Sequence, residues 1–130
     1  MLILTIRTDK PEAEVGLFDS QTKLRYEVWY AHRQLSVTLL QKITDVLSQE
    51  GKTIHDLRGI VGFAGPGSFT GLRIGLTVGD TLAYALGIPI IGMQDPQWLE
   101  RGIDRLLAGE HDDIVLPAYD RGAHITVQKK

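Results

Sequence analysis

At 130 residues, 43% hydrophobic and 23% charged, with a net charge of −2, the chain has the make-up of one ordinary globular domain. That balance supplies no broad basic field, so this chain alone is a poor candidate for tight binding of a nucleic-acid backbone, and any such contact would need help from another subunit. Cysteine is absent, which rules out disulfides, thiol catalysis and cysteine-ligated metals and fits a reducing compartment. The N-terminal apolar stretch, Met1 to Ile6, is followed at once by Arg7. It is too short for a signal peptide or a membrane span, and no other window approaches span length, so the expectation is a cytoplasmic protein with no membrane contact.

In chain order, Leu2 to Ile6 is a short apolar run of the kind a strand buried on both faces would show. Ala13 to Phe18 reads as a second strand, and the turn residues Asp19-Ser-Gln-Thr22 follow it. Leu24, Tyr26, Val28 and Tyr30 then alternate with Arg25, Glu27 and Trp29, which predicts a third strand and an antiparallel opening meander. Next, the period changes. Leu35, Leu39, Ile43 and Val46/Leu47 recur every three or four residues, predicting an amphipathic helix from about Arg33 to Glu50, with Gly51 as its stop. Leu57 to Phe63 is a fourth strand, and a Gly/Pro loop leads from it into a second helix ending near Leu86 at Gly87. Ile88 to Ile91 is a fifth strand. Asp95 as N-cap and Pro96 at the first helical position would open a third helix running to about Leu107. Ile114 to Tyr119 and His124 to Gln128 read as a hairpin around Asp120-Arg121-Gly122. The resulting order, βββαβαβα plus a hairpin, is that of an α/β protein with a mixed sheet, and suggests an actin-like or ribonuclease H-like half-domain. Its expected organisation is a lobe over residues 1–110 and a C-terminal hairpin over 111–130.

Residues Gly62 to Gly75 carry most of the chemical information. Gly65-Pro66-Gly67 permits close backbone approach, Ser68 can cap the helix it opens, and free N–H groups at such a helix start can hold an anion. Gly65, Gly67, Ser68 and Arg73 are therefore candidate nucleotide or anion contacts, although the Gly-Lys-Ser/Thr ending of a Walker loop is absent. Gly71, Gly75, Gly79 and Ala83 fall every four residues and so share one helix face. Each interior glycine costs about 0.5–1 kcal/mol relative to alanine, and two uses would justify them: close packing inside this chain, or a helix pair meeting a partner subunit.

The run Gly65-Pro-Gly-Ser-Phe-Thr-Gly-Leu-Arg-Ile-Gly75 closely resembles the signature of the TsaB (YeaZ) family. The likeness extends through Leu2–Ile6, His32–Ser36, Leu82–Gly92 and Leu116–Asp120, so it covers nearly the whole chain. It implies an actin-like fold and a non-catalytic subunit that pairs with a homologous catalytic subunit, TsaD. With the ATPase TsaE, the complex makes threonylcarbamoyladenosine beside the tRNA anticodon. It also implies a four-helix interface with TsaD, or with a second copy in a homodimer. On that basis the interface residues are expected to be Leu35, Leu39, Ile43, Val46, Leu47, Gly71, Leu72, Gly75, Gly79, Leu82 and Ala83. No cofactor is expected on this chain alone, with ATP or ADP at the joint surface and tRNA reached only through the complex.

Two departures from the family pattern stand out. The first strand of the family runs into an acidic Ile-Asp-Thr, where this chain has Ile6-Arg7-Thr8, with Asp9 two positions on. Arginine has no lone pair for Mg²⁺, which argues against a self-sufficient ATPase. The family also carries a substantial second lobe, of which only the opening hairpin is expected here. The competing reading is a stand-alone actin-like ATP-binding phosphotransferase or hydrolase. His32, His55, His111 and His124 show no zinc-binding spacing, and Ser68 has no assignable base, so neither a metal site nor a catalytic residue is expected.

Overall fold

The computed structural model describes residues 1–118. Five strands form one sheet: β1 (Leu2–Arg7), β2 (Glu12–Asp19), β3 (Thr22–Tyr30), β4 (Gly59–Phe63) and β5 (Ile90–Met93), in the order β3-β2-β1-β4-β5. β1 lies in the middle, antiparallel to β2 and parallel to β4, and β5 is parallel to β4. Its four inner residues are buried, as expected of a strand covered on both faces.

Three helices provide that cover: α1 (Leu35–Gln49), α2 (Phe69–Leu86) and α3 (Trp98–Leu107). On one face Leu4, Ile6, Val15, Leu17 and Ile60 meet α1 through Leu35, Leu39, Ile43, Val46 and Leu47, and α2 through Leu76 and Ala83. On the other face Ile3, Phe18, Val61, Phe63 and Ile91 meet Trp98, Ile103 and Leu106 of α3. Each such large apolar side chain contributes about 1.5–3 kcal/mol by leaving water. The mixed α/β architecture read from the sequence is therefore present.

The departures are local. A 3₁₀ turn, His32–Gln34, precedes α1, so that helix begins later than the periodicity suggests. In β3 the pairing register shifts opposite Leu17/Phe18. Leu24 consequently packs with the α1 side, where Trp29 lies by ordinary alternation, while Tyr26 packs with the α3 side, so Leu24 and Tyr26 do not share one stripe. Asp95-Pro96 does not cap α3; it forms a turn in which the Asp95 carboxylate accepts the Gln97 N–H (2.9 Å), and Gln97 is the cap residue. Over residues 114–118 no strand is formed; instead Asp112 bridges to Ile90 and the Ala118 N–H donates to the Ala64 carbonyl (2.7 Å). The remainder of the expected hairpin lies outside the described residues. Among the described residues no helix is long and apolar enough to cross a membrane.

Candidate functional site

The glycine loop and the first turns of α2 rest on the C-terminal end of β1. Thr8, 2% exposed, donates its hydroxyl to the Gly71 carbonyl (2.7 Å). A Cβ on Gly71 would collide with the Thr8 carbonyl, and one on Gly75 with the Thr8 hydroxyl and, at 3.0 Å, its Cβ. Gly79 follows the same face onto Ile90, where a Cβ would stand 3.3 Å away. The glycine stripe is thus the face on which α2 packs against its own sheet. In the sequence Thr8 stands only as the residue after Arg7, with nothing to mark it as the residue on which this helix packs.

One residue further on, the Asp9 carbonyl accepts the Ser68 N–H (3.1 Å), and a Cβ on Gly67 would come within 2.5 Å of the Asp9 Cβ. Gly65 has φ +104°, a left-handed backbone that favours glycine. Ser68 caps α2, its hydroxyl accepting the Gly71 N–H at 3.4 Å. The loop is therefore clasped to the backbone that carries Asp9.

The Asp9 side chain, only 7% exposed, is held by Arg7 through two hydrogen bonds, Nε to Oδ1 at 2.8 Å and Nη2 to Oδ2 at 3.1 Å. The guanidinium also lies 4.0 Å from the centre of the Phe63 ring. Arg7 is held above its ordinary pKa, chiefly by the hydrogen bond to Asp9, against the opposing effect of burial. Both oxygens of the buried carboxylate are engaged by a cation. Among the described residues no group of three or more His, Asp or Glu side chains is arranged to hold a metal ion.

Of the candidate anion contacts, Gly65, Gly67 and Ser68 share the loop, and Ser68 lines a cavity of about 300 Å³ with Lys10, Arg33, Thr70, Gly71 and Ile74. Arg73 is not gathered with them. It opens onto a neighbouring groove of about 420 Å³, lined also by Ser36, Phe69, Thr70, Ile74, Thr77 and Val78. The cations that accompany Ser68 are Lys10 and Arg33, which come from two other connections of the chain. Sequence reading missed both, since only the fold brings those connections together.

The residues expected at the interface are distributed as follows. Leu35, Leu39, Ile43, Val46, Leu47, Leu72, Gly75, Gly79 and Ala83 are buried inside this chain, Gly71 and Leu82 are half-buried, and Leu82 packs on the core. Amphipathic periodicity identifies the buried face of a helix, and here that face is buried by the chain's own sheet. On the outer face of these helices Val37 (70% exposed), Leu40 (52%) and Phe69 (47%) are exposed, and Phe69 lines the Arg73 groove.

Comparison with known proteins gives this geometry a context. Residues 29–121 match the family model described as TsaD: tRNA N6-adenosine threonylcarbamoyltransferase. The Bacillus subtilis tRNA threonylcarbamoyladenosine biosynthesis protein TsaB is 31% identical over 92% of this chain and 50% of its own length. The solved structure of YeaZ from Pseudomonas aeruginosa is 30% identical with a TM-score of 0.63, over 78% of this chain and 52% of that one. RuvC of T. thermophilus, at 13% identity and a TM-score of 0.51 over 96% of this chain and 85% of its own, shares the fold alone. The chain spans about half the length of the curated relatives it matches. It belongs to the family that the TsaD model describes and, within its relatives, to the TsaB (YeaZ) family.

Proposed function

We propose that this chain is a non-catalytic partner subunit in tRNA threonylcarbamoyladenosine biosynthesis, docking on a TsaD-like catalytic subunit through the outer face of α1 and α2. The observation that carries the reading is that face. Ser36 and Leu40 lie one turn apart on α1, Val37 is beside Ser36, and Ser36 forms one wall of the groove whose other wall is Phe69, Arg73 and Thr77 of α2. Exposed apolar side chains beside such a groove suit an interaction surface, and the family relationship supports a TsaD-like subunit as the partner. In this reading the same face forms a homodimer when TsaD is absent. A TsaE-like ATPase joins the assembly, and tRNA, modified beside the anticodon, is reached only through the complex. ATP or ADP would bind at the joint surface. The Arg7–Asp9 pair supports the non-catalytic role, because the carboxylate nearest the loop has both oxygens engaged.

Co-purification with a TsaD-like protein, followed by light scattering, tests this. A stable complex with the wild-type chain and its loss in Leu40→Asp, with the fold retained, is the expected result; an undiminished complex in Leu40→Asp would refute the assignment. A second reading, a stand-alone actin-like ATP-binding phosphotransferase or hydrolase, is favoured by one feature, the cavity where Lys10 and Arg33 accompany Ser68 at the start of α2. Robust ATP turnover by the purified chain with Mg²⁺ would establish it and sink the scaffold reading.

A further inference from the structure

Residues 112–118 run beside β5 from its first residue, Ile90, to Ala64 just past the end of β4, and are gripped at three points. At the β5 edge, the Asp112 N–H donates to the Ile90 carbonyl (2.8 Å), while its carboxylate accepts the Gly92 N–H (2.8 Å) and meets Arg105 at 3.4 Å. In the middle, the Val115 N–H donates to the Asp80 carboxylate of α2 (2.9 Å). The Val115 side chain is 4% exposed and sits so tightly over Gly92 that a Cβ there would come within 2.5 Å of its Cγ1. At the far end, the Ala118 N–H donates to the Ala64 carbonyl (2.7 Å), and the Ala118 oxygen lies 2.5 Å from where a Cβ on Gly65 would stand.

These contacts differ from ordinary core packing. Ile114 and Leu116, which flank Val115, are 58% and 68% exposed, so the segment is held by one buried side chain and a few directed hydrogen bonds. Its last contact falls on Ala64 and Gly65, the residues that open the glycine loop. That loop has its other hold at Asp9, through Ser68, and it sets the first turn of α2.

We propose that residues 112–118 are a conformational strap: seated by Asp80 and Gly92, it fixes the glycine loop and the start of α2, and its release loosens both. A contact acting at Ala118 is passed to Gly65 and from there to Ser68 and Gly71. The strap belongs to this chain alone and does not depend on the assembly reading.

Hydrogen exchange on the full chain tests it, with Asp80→Ala removing the central acceptor and Gly92→Ala displacing Val115, while every loop residue stays unchanged. In both variants the amides of Val115 and Ala118 should exchange roughly five- to tenfold faster, as expected for loss of a single hydrogen bond's worth of local protection. The Gly67, Ser68 and Phe69 amides should accelerate with them. The Ile3–Ile6 amides should keep wild-type rates, and Asp80→Asn, which retains the acceptor, should accelerate none of these amides. Faster exchange in the strap with unchanged loop amides would overturn the proposal. So would strap amides that respond to neither variant, or acceleration of Ile3–Ile6 by the same factor in both, which would make the segment part of the global folding unit.

Discussion

Thr8 donates its hydroxyl to the Gly71 carbonyl at 2.7 Å, and the same hydroxyl fills the space that a Cβ on Gly75 would need. One residue just past β1 therefore both donates to a carbonyl of the second helix and requires glycine one turn on. Gly75→Ala gains up to about 1 kcal/mol in helix propensity but overpacks a well-filled contact, which costs about 1–3 kcal/mol. The expected outcome is a net loss of about 1–2 kcal/mol in urea denaturation. Thr8→Ala on its own also destabilises by removing the hydrogen bond. In the double variant Thr8→Ala/Gly75→Ala the two losses should be less than additive, because the methyl introduced at 75 no longer meets a hydroxyl. Additive losses would show that the close approach is not what selects glycine.

The Arg7–Asp9 pair leads to a second prediction. Replacing Arg7 by Met leaves a carboxylate that is 7% exposed in the wild type without its cation. Loss of charge-assisted hydrogen bonds of this kind costs about 1.5–3 kcal/mol. Arg7→Met/Asp9→Asn should recover much of that loss, since the remaining polar group is neutral and cheaper to leave in place. Arg7→Lys should fall between, because an ammonium cannot make the two-pronged contact. Chemical denaturation of the four proteins checks the order. Equal stability of Arg7→Met and wild type would mean that the carboxylate finds water or another partner.

Much of this fold was legible from periodicity. The alternation in residues 24–30 and the three-to-four spacing from Leu35 to Leu47 give β3 and α1, and the positive-φ glycines Gly51 and Gly87 stand just past α1 and α2 as their stops. Which neighbour each face meets was less legible. The stripe Gly71, Gly75, Gly79 announces a close contact but not whether sheet or partner makes it, and the deciding residue, Thr8, lies 63 positions earlier. In the same way Lys10 and Arg33 have no sequence relation to Ser68; the clasp of the loop on Asp9 and the hydrogen bond from Ala31 to Pro11 bring the three connections to one cavity. Asp95-Pro96 carries residues suited to a cap, yet the Asp95 carboxylate is used by Gln97 within a turn, and the helix starts two residues beyond the proline.

Asp80 gives the stability of the chain a pH dependence of definite sign. Burial raises its pKa above the ordinary 3.8, partly offset by the hydrogen bond from the Val115 N–H. The folded chain thus binds this proton more tightly than the unfolded one does. Its stabilising contribution is complete below the ordinary pKa and is lost as pH rises through the folded value, so near neutral pH the charged carboxylate is a net cost. Asp80→Asn keeps an oxygen for Val115 and removes that charge. Its melting temperature should exceed that of wild type near neutral pH, and the difference should shrink below about pH 4, where the wild-type carboxyl is protonated. A difference that stays constant across that range would show that charge at this position has no part in it.

The outer and inner faces of the two long helices should respond differently to substitution. Leu40 is 52% exposed and Val37 70% exposed, so Leu40→Asp and Val37→Asp should shift stability by no more than about 0.5 kcal/mol, the usual range for surface changes. If this face docks on a TsaD-like subunit, a charge near the middle of the contact should weaken that binding by tenfold or more, a loss of at least about 1.4 kcal/mol. Gly79→Leu should do the reverse. Its new side chain meets Ile90, Ile6 and Ile60 inside this chain, so it should unfold the protein before any effect on association can be attributed to an interface. Measuring melting temperature and partner affinity on the same three variants separates the two faces. Weakened binding by a well-folded Gly79→Leu, with Leu40→Asp binding normally, would return the interface to the glycine stripe.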